Sequence, residues 1–310
     1  MTIFFMDGFG QFVGLGTDTP AHLQDAGYLA SGSLTVVAGP ESGTHAIQIP
    51  VLGTFGRAFT VAGPRLVLGF AYRASERGTI ASISGVGNLL WPAEITLLGG
   101  SSTAVPIPNL WAYYEIVIDK GAATVEIWHN NRQEIVAPLP APAVDMTTFS
   151  LGFGGPAAPA TALISGLYAS TVRHGPMAIE TDMPAADVDV HWVPTAGSVH
   201  YPMVNTRPVS DGTFVQSAQS GAQDLFKFPP RAVLDPIVAV GLVARACKTD
   251  LDLRQLGLVV GSQGHQQEVV GGDLNLSYRY QYSVFEQAPS GSAWTQEDLD
   301  FEPGGIVVRP

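Results

Sequence analysis

Paired carboxylates are the usual machinery for cleaving a glycosidic bond, and they must stand about 5–9 Å apart to do it. Two pairs have a spacing worth testing, Glu115 with Asp119 and Asp187 with Asp189. Glu115 and Asp119 share one face of an extended segment, but four residues of strand separate them by about 13 Å, too far for either hydrolytic geometry. Asp187 and Asp189 lack a third acid and fall at a candidate linker. The seven histidines are scattered, with no pair at i, i+2 or i, i+4; His191 and His200 merely flank a loop, so no metal site follows. Cys247 is the single cysteine, which excludes an intrachain disulfide and any CxxC motif and predicts a buried, inert thiol. The glycine runs Gly152–Gly155 and Gly261–Gly264 are not followed by Lys-Ser/Thr, so they form no phosphate cradle. No catalytic residue, metal or cofactor is expected. What remains is binding chemistry. Trp128, followed by His129, Asn130 and Asn131, is an aromatic ring beside amide partners, the combination that holds a sugar, and Trp91 before Pro92 reads as a loop-borne second ring. The competing reading places Trp111, Tyr114 and Trp192 in the cores and Trp128 against another subunit.

The elements that would position these residues are short strands. The chain has 35 Gly and 23 Pro in 310 residues, and between them lie runs of Val, Ile, Leu, Phe and Tyr with almost no helical periodicity. Tyr113–Asp119 alternates Tyr114, Ile116 and Ile118 with Tyr113, Glu115 and Val117. A hairpin follows: 123–129, a tight turn at Asn130-Asn131, and a return over 132–136. Leu274–Tyr282 alternates strictly, and Pro236–Arg245 reads as a strand buried on both faces. One short helix is predicted over 293–299, with Thr295 as N-cap and Glu297 and Asp298 in its first turn. The chain turns irregular after Arg173, which puts a domain break near 175–190.

Charge narrows the partners. The 15 Lys+Arg and 27 Asp+Glu give −12, spread evenly: 7 against 13 before residue 185 and 8 against 14 after it. With no basic half and no basic run, nucleic acid and anionic membrane surfaces are excluded as partners. No apolar run approaches the 18 or more residues of a spanning helix, so membrane insertion is not expected. Only 14% of residues are charged while 46% are hydrophobic, a balance that suits surfaces covered by other subunits, as in a homo-oligomer. The segments 1–5 and 304–309 read as strands free to join a neighbour's sheet edge.

The first half resembles the concanavalin A-like (laminin G-like) jelly-roll family. The residues that carry this are Phe5-Met-Asp7-Gly8-Phe9, Trp111-Ala-Tyr-Tyr-Glu115-Ile-Val-Ile, Thr124 to Asn131, and Ile164-Ser-Gly-Leu-Tyr168. Asn131 stands where such domains carry a turn glycine, and Ser165-Gly166 where they carry an acidic pair, so no calcium site is carried over. The second half is similar to a domain of tailed-bacteriophage virion proteins, through Val190-His-Trp192-Val-Pro-Thr, Ser210 to Val215, Asp224-Leu-Phe, Lys248-Thr-Asp250, and Ala288 to Leu299 followed by Glu302-Pro-Gly-Gly. The resemblance implies an all-β chain: a concanavalin A-like jelly-roll domain (1–178), a linker (179–189) and a smaller β-sandwich with a short C-terminal helix (190–310), which docks on the particle. It implies a non-enzymatic virion component assembled in the host cytoplasm with other virion proteins. A tail or baseplate accessory is the first reading, a capsid decoration protein the second, and an adhesin for host surface glycan the third.

Overall fold

The computed structural model describes residues 2–91, 94–154, 161–231 and 236–310, so Met1 of the expected free segment and Gly155 of the first glycine run lie outside the described residues. The chain is all-β and divides into two compact units, Thr2–Thr181 and Asp182–Pro310.

The described residues of the first unit form fifteen strands: β1 (Ile3–Asp7), β2 (Tyr28–Ser31), β3 (Thr35–Ala38), β4 (His45–Ile49), β5 (Thr54–Thr60), β6 (Arg65–Ala74), β7 (Gly78–Ile83), β8 (Gly87–Trp91), β9 (Thr96–Leu97), β10 (Gly100–Ser101), β11 (Ala112–Asp119), β12 (Thr124–His129), β13 (Arg132–Pro138), β14 (Thr148–Gly154) and β15 (Ala162–Ser170). They form two antiparallel sheets of a jelly-roll sandwich. One has eight strands in the order β13-β12-β11-β6-β15-β4-β3, with β1 also on β15; the other has seven, β10-β9-β8-β7-β14-β5-β2. Alternation decides what fills the space between them. Leu66, Leu68 and Phe70 on β6 and Tyr114, Ile116 and Ile118 on β11 face Phe55, Phe59, Phe149, Leu151 and Phe153, all buried. Phe70 lies edge-on to Phe153 at 4.9 Å between centroids.

The two outer faces differ. On the eight-stranded sheet, Val67, Tyr113, Val117 and Tyr168 are buried although they point away from the interior, because Met177 and Ile179 pack on them. The segment after β15 is therefore a strap lying across the sheet rather than a linker. It passes so close to Gly8 that a Cβ there would stand 2.3 Å from the Ile179 carbonyl oxygen, and Thr44 bridges Glu180 beyond it. The expected linker ends the same way on its other side, since residues 186–190 form a strand. On the seven-stranded sheet, by contrast, directly opposed residues share the bare outer face: Leu29, Gly56, Gly152, Ser82 and Asn88 make one row across five strands, Ala58 faces Ser150, and Thr60 faces Thr148.

In the second unit, β16 (Ala186–Val190), β17 (Val193–Pro194), β18 (Val215–Gln216), β19 (Gln223–Lys227), β20 (Val240–Ala246), β21 (Gln255–Val260), β22 (Gln267–Asp273), β23 (Arg279–Phe285) and β24 (Gly304–Arg309) form a five-stranded sheet, β16-β19-β24-β21-β22, and two ribbons, β20-β23 and β17-β18. The β20-β23 ribbon packs over the sheet through Val240, Leu242, Val260, Val269, Phe285 and Trp294. The predicted helix is present as Gln296–Phe301, closed by a capping box in which Thr295 and Asp298 each bond the other's main-chain N–H.

Four expectations are corrected. The strand begun at Leu274 starts at Arg279, because 274–278 is a loop tied by Leu274 N–H to the Arg254 carbonyl, and Leu276 is exposed. Val240–Ala246 is only half-buried, being one strand of a two-stranded ribbon. Residues 3–7 pair with β15, and β24 sits between β19 and β21, so both segments read as free are already spent inside the chain. Trp111 and Trp192 are half-buried, and only Tyr114 of the three expected core rings is fully enclosed.

Gly69 tests the packing under the strap. A Cβ at this position would stand 2.0 Å from the Tyr168 ring. Gly69→Ala is expected to cost about 1–3 kcal/mol in urea unfolding, the usual size of overpacking. Gly63, with open space around it, should change by less than about 0.5 kcal/mol when replaced by Ala.

Candidate functional site

Trp128, His129, Asn130 and Asn131 do come together, at the tip of the β12–β13 hairpin. Asn130 and Asn131 take φ of 47° and 67°, the pair of left-handed residues a two-residue primed turn requires. Asparagine tolerates that conformation and adds side-chain bonds a glycine cannot make. The Asn130 carbonyl Oδ1 accepts the Tyr113 N–H at 2.8 Å, and the Asn131 Oδ1 accepts Arg173 Nη2 at 2.8 Å. The His129 ring lies 5.1 Å from that of Tyr114, and burial holds its imidazolium below the usual range against the pull of Glu134.

These contacts occupy the groups a sugar would need. The Arg173 guanidinium covers the Trp128 ring at 3.3 Å from its centroid, a cation–π contact, and the indole N–H donates to Glu126 Oε2 at 2.8 Å. Trp91 is not loop-borne. It ends β8 opposite Gly78, alternation with Leu89 turns it inward, and at 2% exposure it is a core ring.

The centre of this region is a residue read above only as half of an unsuitable acid pair. Glu115 is fully buried on the outer side of β11, between Tyr113 and Val117. Its Oε1 accepts the Tyr168 hydroxyl at 2.5 Å and the main-chain N–H groups of His174 and Gly175 at 3.0 and 2.9 Å. Its Oε2 accepts Arg173 Nε at 2.7 Å and pairs with Nη2 at 2.6 Å. Tyr113 in turn donates to Tyr168 at 3.0 Å. Tyr168 arrives there because the β6–β15 register slips between Ser165 and Tyr168, around Gly166 at φ 58°. Ser165-Gly166 is the bulge that aims this phenol.

Two further carboxylates repeat the pattern. Asp7 accepts the Phe9 N–H and the Gln11 amide on Oδ1 and the Tyr28 hydroxyl on Oδ2, at 2.7–2.8 Å, holding Phe9 in the left-handed region at φ 62°. In the second unit, Asp224 accepts the N–H groups of His191 and Trp192 at 2.7 and 2.8 Å and faces His200 Nδ1 at 2.7 Å, while Asp187 accepts the His200 and Tyr201 N–H groups. A buried acid holding main-chain N–H groups is an anchor for a loop. Asp187 and Asp189, the second candidate pair, are thus split: Asp187 holds this loop, and Asp189 faces His191 at 3.0 Å and Gln223. Among the described residues no group of three His, Cys, Asp or Glu side chains is placed to hold a metal. Cys247 is half-buried rather than enclosed.

No known family model matches the chain, and no characterised protein matches it by sequence. Solved structures that are similar include a sialidase, over 47% of this chain and 17% of its own length, with 11% identity and a TM-score of 0.36. A carbohydrate esterase of the Shiga toxin-encoding bacteriophage phi24B is matched over 50% of this chain and 94% of its own, with 13% identity and a TM-score of 0.34. The metal-free lectin I-B4 of Griffonia simplicifolia is matched over 46% and 92%, with 9% identity and a TM-score of 0.32. At these identities and scores the likeness says nothing of ligand or activity.

Glu115→Gln keeps the shape of the anchor and removes its charge, leaving Arg173 uncompensated. It should cost about 3–5 kcal/mol, with a change in Trp128 fluorescence as Arg173 leaves the ring. The buried phenols add a pH dependence. Burial raises Tyr72 to about 12; burial, then Tyr168 and Glu115, raises Tyr113; and burial, then Glu115, raises Tyr168. These acids are harder to ionise folded than unfolded, so their contribution is full below about pH 10 and lost as the pH rises above it. Absorbance at alkaline pH should show them ionising together with unfolding rather than before it.

Proposed function

We propose that this chain is a non-enzymatic structural component of a tailed-phage virion, placed on the tail or baseplate and working by contact with other virion proteins. The observation that carries the non-enzymatic part is the use made of its buried acids. Asp7, Glu115 and Asp224 are each saturated by donors of the same chain, and the first candidate acid pair has one member, Glu115, consumed as an anchor. A carboxylate with that many donors is held as a permanent acceptor and is poorly suited to give or take a proton during a reaction. The virion part is supported by the resemblance of residues 190–310 to phage particle proteins. Capsid decoration is the companion reading, because it asks for the same covered surfaces. Recognition of a host glycan through Trp128 would require Arg173 to leave the ring.

Mass spectrometry of purified particles from the phage that encodes the chain tests this. The expected result is the chain in mature particles at tens of copies or fewer, set by tail or baseplate symmetry. Hundreds of copies would move it to the capsid, and its absence from particles would overturn the reading.

A further inference from the structure

The strap leaves the first unit with one outer face covered and one bare. The bare face, on the seven-stranded sheet, is formed by the rows of Leu29, Ala58, Thr60, Ser82, Ser150 and their opposed neighbours. Among the described residues of these rows none carries a charge, and none is aromatic. Gly56 opposite Gly152 makes a flat floor at the middle, and Leu29 and Leu90 stand out at 64% and 37% exposure toward the two sides.

For a chain of net charge −12 this selects a particular partner. Two copies at −12 repel through their charged surfaces, and their approach is least opposed where both present an uncharged patch. A cationic partner would gain nothing from this face and would be drawn to the acidic surfaces elsewhere. Size agrees: five strands about 4.8 Å apart and about 20 Å long span a plane of about 500 Å² before corrugation, the order of the about 800 Å² per partner of a standard interface.

We infer that a second copy of this chain packs on the outer face of the seven-stranded sheet, sheet against sheet. Small side chains let the two sheets approach to about the 10 Å of ordinary sandwich packing. The contact deepens the assembly reading and rests on it, since it names one partner in that assembly.

Light scattering of the full chain across a dilution series tests the contact, with Ser150→Asp and Thr60→Asp as face variants and Thr35→Asp, on exposed β3 of the other sheet, as control. All three positions are on strand surfaces, and circular dichroism checks that each variant keeps its fold; two face variants guard against the loss of one. The expected result is a wild-type dimer that dissociates on dilution, with each face variant weakened at least about tenfold and the control unchanged. A wild-type chain that stays monomeric, or face variants that associate as the wild type does, overturns the inference. A chain found in particles yet monomeric would refute this contact alone; one that dimerises yet is absent from particles would refute the particle reading alone.

Discussion

A carboxylate taken out of water must have its lone pairs satisfied and its charge countered, and Glu115 meets that requirement through the Tyr168 hydroxyl on β15 and, for its charge, through Arg173 in the segment that follows β15. Once Arg173, His174 and Gly175 are drawn to it, the chain beyond them has one course, across the outer side of the eight-stranded sheet, where Met177 and Ile179 cover Val67, Tyr113, Val117 and Tyr168. The second apolar cluster of this unit, the closure of Trp128 and the asymmetry of the two outer faces follow from that carboxylate. Asp7 meets the other end of the same path: it fixes Phe9 in the left-handed region, and the bare Gly8 beside it lets the strap pass.

The same physics turns the acid and the ring of this unit toward groups of their own chain. Hydrogen bonds to a charged acceptor are strong, short and directional, which makes a saturated acid a good structural pin. An aromatic ring under a guanidinium is likewise occupied. What the unit leaves uncovered is a surface, the uncharged rows of the seven-stranded sheet, on which a second copy is proposed to pack.

Much of the fold was legible because period-two alternation and turn chemistry are local. Tyr113–Asp119, the Asn130-Asn131 turn and the Thr295 cap are written in neighbouring residues and appear as read. The strap was not legible, because its partners lie about sixty residues away: an irregular stretch after Arg173 looks the same whether it is a linker or is pinned to Glu115. Glu115 does carry a signal, an acid in phase with Tyr113 and Val117 in an otherwise apolar strand, which marks a buried anchor rather than a partner for Asp119. Trp91 shows the converse. The Pro92 beside it suggested a loop, while its alternation with Leu89 already turned it inward. For β24, strand character was plain from sequence, but a position between β19 and β21 depends on pairings no local pattern encodes.

The Glu115 carboxylate holds the strap on the sheet. Hydrogen exchange at the amides of His174 and Gly175, both donors to Glu115, measures this most directly. Protection comparable to the amides of β11 is the predicted result. Exchange as fast as in an exposed loop would contradict it, and would leave the outer cluster and Trp128 open to solvent.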